Sequence, residues 1–200
     1  SPEVIQQELD GLASPEALRA AASLSAGDLG RARFLAGKRG SELRAAAERL
    51  MTAALDDDFE ASPWLELLGQ AKSAGEHSGE LVQAEFDEAK EEGIKHTRTE
   101  IEEAVRRAQR KTRTGMLDLG LHLAAAWARD WAAVAAGAPE LAFNSDRLEQ
   151  LEAQAARTEL GQAREAVSLI QDTRRSFQLN VSEELALEAL AFRLEKTLRD

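Results

Sequence analysis

The stretch from Leu117 to Ala138 is apolar on two sides of a helix at once, and that dictates much of what the rest of the chain must do. One stripe of helical period runs Leu117, Leu121, Ala124, Ala128, Trp131, Ala135, and a second runs Leu119, Leu123, Trp127, Val134. A helix with two apolar stripes is buried on more than one side. His122, Arg129 and Asp130 interrupt the run, so it fails as a membrane span and passes as a buried core helix.

The other segments must therefore supply covering helices. Ala, Leu, Glu and Arg, the best helix formers, dominate the chain, Tyr is absent, and the β-branched residues a sheet would want are scarce. The expected fold class is all-α. With 200 residues and 44% hydrophobic content, the chain is long enough for a real core and is not a disordered tail. A net charge of -11 repels phosphate and disfavours an independent nucleic-acid groove. Such a chain could still reach DNA as part of a larger assembly whose other members are basic. The absence of Cys removes disulfides, thiolate catalysis and thiolate metal sites, and fits a reducing cytoplasm. No basic-plus-apolar leader is visible, and the chain starts as though cut from something longer.

Helix starts are well punctuated. Ser1-Pro2-Glu3, Ser14-Pro15-Glu16 and Ser62-Pro63-Trp64 place a capping hydroxyl before a proline at the first helical position. Asn144-Ser145-Asp146 and Ser182-Glu183-Glu184 are further starts. These signals predict short helices over 3–10, 15–25 and 28–36, a break at Gly37-Lys38-Arg39-Gly40, and a helix over 41–57. The last carries the stripe Leu43, Ala46, Ala47, Leu50, Met51, Ala54, Leu55. From 63 to 114 the chain is highly charged and weakened by Gly75 and Gly79; 80–113 reads as one or two long exposed helices. The apolar helix follows over 115–136, then a long helix over 145–177 and a last one over 182–198. Residues 1–39 form a piece too small to bury its own core, and 40–200 a helical bundle.

Chemistry is sparse. His77, His96 and His122 are too scattered for a metal site, and the acidic runs Asp56–Asp58 and Glu100, Glu102, Glu103 read as solvated faces rather than a catalytic pair. Ser168 and Ser176 lack a glycine-rich elbow, and no phosphate loop of the Walker type occurs. The expectation is no catalytic residue, no metal, no cofactor and no small-molecule substrate. One basic concentration stands out, with Arg106, Arg110 and Arg113 on a shared face beside Arg107 and Lys111. It suits contact with DNA or an acidic partner, or else ion pairing with preceding glutamates through Glu102→Arg106 and Glu103→Arg107. Trp64, Trp127 and Trp131 suit interface anchors or, for the last two, core packing.

Two stretches resemble a known family. Leu24-Ser25-Ala26-Gly27-Asp28-Leu29-Gly30-Arg31-Ala32-Arg33-Phe34-Leu35 resembles the end of the lid subdomain in clamp-loader AAA+ proteins, a glycine turn opening a helix that reads roughly G-x-x-[RG]-x-A. Leu179-Asn180-Val181-Ser182-Glu183-Glu184-Leu185-Ala186-Leu187-Glu188-Ala189-Leu190 is similar to the final collar helix of bacterial DNA polymerase III clamp-loader subunits. Trp127-Ala128-Arg129-Asp130-Trp131 is similar to the W-x-R-D segment of their collar core helix.

The resemblance implies a lid remnant over 1–39 and an oligomerising collar over 40–200. In ATP-hydrolysing members an arginine stands at the bracketed position and reaches the nucleotide phosphates; Gly30 stands there here, with Arg31 and Arg33 displaced. That implies the delta-prime branch, a non-catalytic stator, and the charged segment before the apolar helix looks like the actinobacterial version. The implied partners are the gamma/tau and delta subunits, with the sliding clamp and primed DNA reached through the whole assembly, in the bacterial cytoplasm and with no membrane. The residues that would pack the collar are Trp127, Trp131, Leu179, Leu187, Leu190 and Leu194. Two other readings stay open at this point, the C-terminal part of a gamma/tau ATPase and a generic helical scaffold.

Overall fold

The computed structural model describes residues 2–9, 11, 13–179 and 181–199, so the expected cap at Ser1 and the asparagine of the last motif, Asn180, lie outside the described residues. Among the described residues the chain is all-helical, with nine α-helices, three 3-10 turns and no strand. The helices are α1 (Pro2–Glu8), α2 (Pro15–Leu24), α3 (Leu29–Ala36), α4 (Lys38–Asp56), α5 (Trp64–Glu91), α6 (Arg98–Ala135), α7 (Leu148–Ala155), α8 (Leu160–Ser176) and α9 (Glu183–Arg199). None is long and apolar enough to cross a membrane.

The two-sided apolar segment is the C-terminal half of α6, and α4, α5, α7 and α8 all pack on α6. Leu117, Leu121, Ala124, Ala128, Trp131, Leu123 and Trp127 are buried there. The stripe of α4, from Leu43 to Leu55, is buried against it as expected. α9 closes the bundle over α4 and α8 with Leu187, Leu190, Ala191, Leu194 and Leu198. A second, smaller cluster of Ile5, Leu9, Leu18, Ala22 and Ala32 holds α1, α2 and α3 together. Ala21, Leu24 and Leu35 of the same helices join the main core.

Several elements differ from the sequence expectation. The charged segment and the apolar helix are one helix of 38 residues, α6, with no break at Thr114-Gly115. α5 runs unbroken through Gly75 and Gly79, and a turn at 92–97 folds the two into a long antiparallel hairpin. Gly75 is required rather than weakening: a Cβ there would stand 2.9 Å from the backbone oxygen of Gln109 on α6. The hairpin's far half, beyond Glu80, is mostly exposed. Thr97 and Glu100 cap the start of α6 reciprocally.

The break after α3 is Gly37 alone; α4 starts at Lys38 and holds Gly40 buried in its first turn. The helix expected over 145–177 is divided into a 3-10 turn (Ser145–Arg147), α7 and α8, because the chain turns at 156–159 and restarts on a Glu159–Gln162 capping box. Ser14 caps α2, accepting from Ala17 N at 3.3 Å. Ser62 does not cap α5: its φ is +46° and only its backbone carbonyl accepts from Leu65 N.

Candidate subunit interface

α9 presents two faces of opposite use. Its buried side carries Leu187, Leu190 and Leu194, and its outer side carries Leu185, Ala189 and Phe192 at i, i+4 and i+7. Leu185 is 66% exposed and Phe192 50%. The chain leading into the helix adds Leu179, 78% exposed, and the exposed Val181. Phe192 packs edge-on against Phe59, with ring centroids 5.4 Å apart, and at a tilt against Trp64, with ring centroids 5.9 Å apart. The aromatic trio gives the strip a preset shape at one end.

Ion pairs fix both ends of α9. Arg113 Nε of α6 lies 2.8 Å from Glu183 at its start, and Arg199 donates to Asp57 at 2.7 Å where α4 ends. An apolar strip of this kind on an acidic chain is the surface a protein partner would cover.

Of the residues expected to pack a collar, Trp127, Trp131, Leu187, Leu190 and Leu194 face the chain's own core, and Leu179 alone faces outward. The family resemblance grouped them, and helical spacing does not say what covers each. Leu185 and Phe192 had the same spacing signal on the opposite face.

Buried and half-buried polar residues organise the core beneath, among them Gln154, Thr52 and Arg44, which the sequence reading does not single out. The Gln154 side-chain carbonyl accepts from both Trp127 Nε1 and Trp131 Nε1 at 2.9 Å, while its amide donates to Thr52 at 3.0 Å. Asp130, fully buried, accepts from the backbone of Phe143 and Asn144 and from the Asn144 side chain. Asn144 in turn accepts from Arg44 Nε, and the Arg44 guanidinium makes a bidentate pair with Asp146. This chain of contacts ties α4 to α6 through the 142–147 segment. The Trp-x-Arg-Asp-Trp sequence is thus a structural unit.

The basic face lies elsewhere. Arg106, Arg110 and Arg113 line one side of a groove of about 550 Å³ between α5 and α6, with Lys72 and Glu76 on the other. Arg106 and Arg107 make no ion pair with the preceding glutamates among the described residues; Glu102 pairs with Arg98 at 2.6 Å instead. Gly30 occupies the second position of α3 and is exposed. Arg31 beside it is half-buried. His122 sits on α6 at the rim of an apolar hollow of about 340 Å³, its Nε2 3.3 Å from the carbonyl oxygen of Leu24. Burial, then Arg174 and Arg31, push its pKa below the ordinary imidazole value. Among the described residues no three His, Asp or Glu side chains converge as a metal site.

No family model, no curated protein and no solved structure matches this chain.

Proposed function

We propose that this chain is a non-catalytic part of a bacterial clamp loader of the delta-prime kind, a helical collar that packs side by side with the corresponding parts of gamma/tau and delta subunits. The observation that carries the proposal is the exposed strip Leu185–Ala189–Phe192 on α9. The same helix bears the sequence that resembles the family's last collar helix. A helix that buries Leu187, Leu190 and Leu194 inward and leaves leucine and phenylalanine outward is built for a second helical neighbour. Its function is to supply subunit order and rigidity in a cytoplasmic assembly that places the sliding clamp on primed DNA with ATP bound by other members. Gly30 supports the non-catalytic role, because no side chain at that helical position can reach a phosphate.

The upstream sequence of the parent gene tests the assignment. It should encode an AAA+ core without an intact G-x-x-x-x-G-K-[ST] loop. An intact loop would replace this reading with the gamma/tau ATPase. A gene with no AAA+ core would leave only a helical scaffold.

A further inference from the structure

α6 and α8 flank an apolar hollow of about 340 Å³. Its floor is Ala125, Ala126 and Ala132 of α6, Val167 of α8 and Phe143. Small side chains make the space: on its other sides α6 buries Leu117, Leu121, Trp127 and Trp131. A site of this volume, apolar with a few polar groups at its edge, has the usual form of a small-molecule pocket. It shares no residue with the outer strip of α9, so what it binds stands or falls apart from the collar proposal.

The edge carries donors and, among the described residues, no carboxylate. Arg129 is fixed there. Its Nη1 donates to Asp130 at 2.9 Å and to the carbonyl of Leu141 at 3.0 Å, and its guanidinium carbon lies 3.7 Å from the centre of the Phe143 ring. Asp130 neutralises that charge. The N–H groups on Nε and Nη2 have no acceptor among the described residues. Gln171 accepts from Arg174 through its side-chain carbonyl at 3.0 Å, which leaves its amide as a donor. His122 Nε2 is taken up by the carbonyl of Leu24 at 3.3 Å. Arg164 differs from these: it is exposed and makes no ion pair or hydrogen bond among the described residues. The residues one turn away from it on α8 are Leu160, Gly161, Val167 and Ser168, none of them acidic. The hollow is therefore edged by one positive charge without a counter-charge and by N–H groups without acceptors.

We propose that this hollow binds a small apolar monocarboxylate. The apolar body covers the alanine floor and meets Phe143, and the carboxylate lies at the edge, paired with Arg164 and accepting from the remaining N–H groups of Arg129 and Gln171. Hydrogen bonds to a charged acceptor are the strong ones, so the edge sets orientation while the floor supplies contact area. An amine of the same shape would meet Arg164 with like charge. A nucleotide would bring several negative charges to a single cation and lay a polar sugar on an apolar floor.

Three ligands that share an indole ring and differ in charge test it: indole-3-propionate, indole-3-propionamide and tryptamine. Titration followed by backbone amide NMR should show the acid binding at roughly millimolar affinity or tighter, with shifts gathered on 122–132 and 164–171. The amide should bind about tenfold more weakly, the worth of one charge-assisted contact, and tryptamine should not saturate. Arg164→Glu should weaken the acid about tenfold, leave the amide unchanged and admit tryptamine. Ala132→Phe should fill the hollow and remove binding of acid and amide alike. Circular dichroism should show both variants folded, since Arg164 is exposed and Ala132 half-buried. Equal binding of the three ligands to the wild-type chain would overturn the proposal. So would an acid that shows no saturable shift, that binds Arg164→Glu as well as wild type, or whose shifts gather on α9 instead.

Discussion

Gly40 lies against the end of the preceding helix so closely that a Cβ on it would stand 2.0 Å from the carbonyl oxygen of Phe34. The neighbouring atoms are backbone, Phe34 and the Cα of Leu35, and cannot rotate away. Gly40→Ala gains about 1 kcal/mol of helix propensity, but the clash must force α3 and α4 apart. The overpacking cost of about 1–3 kcal/mol or more should win. Gly37 differs. Its backbone is extended, at φ −85° and ψ 169°, and a Cβ there would meet Phe34 O at an ordinary 3.4 Å. Gly37→Ala should be neutral or stabilising by about 0.5 kcal/mol through the unfolded chain. Chemical denaturation should show a lowered midpoint for Gly40→Ala and an unchanged or raised one for Gly37→Ala.

The shared acceptor of Gln154 is a second point of leverage. Gln154→Leu keeps the volume but leaves two buried indole N–H groups and the Thr52 hydroxyl without their partner. At about 1–3 kcal/mol for each orphaned buried donor, the loss should be about 2–5 kcal/mol. For a chain of this size that lowers Tm by roughly 5–15 °C. Thr52→Val removes only one outer leg and should cost about 1 kcal/mol. Calorimetry of both variants checks the ratio.

His122 makes stability depend on pH. Burial and the nearby Arg174 and Arg31 favour its neutral form in the fold. Its folded pKa lies below the unfolded value, which is near 6.5. The unfolded chain then binds more protons as pH falls, so stability is fully present above about pH 6.5 and declines below it. His122→Gln keeps a donor for the carbonyl of Leu24 and should flatten the decline between pH 7 and 5. An equal decline in both proteins would remove His122 as the cause.

Much of the fold was legible because helical spacing and caps are local signals. The α4 stripe and the Ser14 cap stand where spacing put them, and so does the apolar run of α6 from Leu117 to Trp131, while Leu119 and Val134 are only half-buried and Ala135 is exposed. What failed depended on tertiary partners. Gly75 in a charged run reads as a weak point in a helix; its use, admitting the backbone of α6 at Gln109, exists only once the hairpin is closed. Glu102 has an arginine one turn away on each side, and spacing cannot choose Arg98 over Arg106. The turn at 156–159 contains neither glycine nor proline, and its only local mark is the Glu159–Gln162 capping box, which opens on a glutamate rather than a serine, threonine, aspartate or asparagine. The candidate interface was half legible for the same reason. The sequence reading names Leu187, Leu190 and Leu194 but not the outer face, and it is packing against α4 and α8 that turns Leu187 inward and leaves Leu185 outside.

The outer strip of α9 also sets how strongly a partner should bind. Covering a side chain such as Leu185 or Phe192 contributes about 1–2 kcal/mol each when half of it is already shielded.

The most direct measurement of the central claim is the native mass of this chain mixed with gamma/tau and delta collar segments. The account predicts a hetero-oligomer that the wild-type chain joins and the Leu185→Glu/Phe192→Glu variant, folded by circular dichroism, fails to join. A wild-type chain that remains outside any complex, or a variant that assembles as well as wild type, would contradict it.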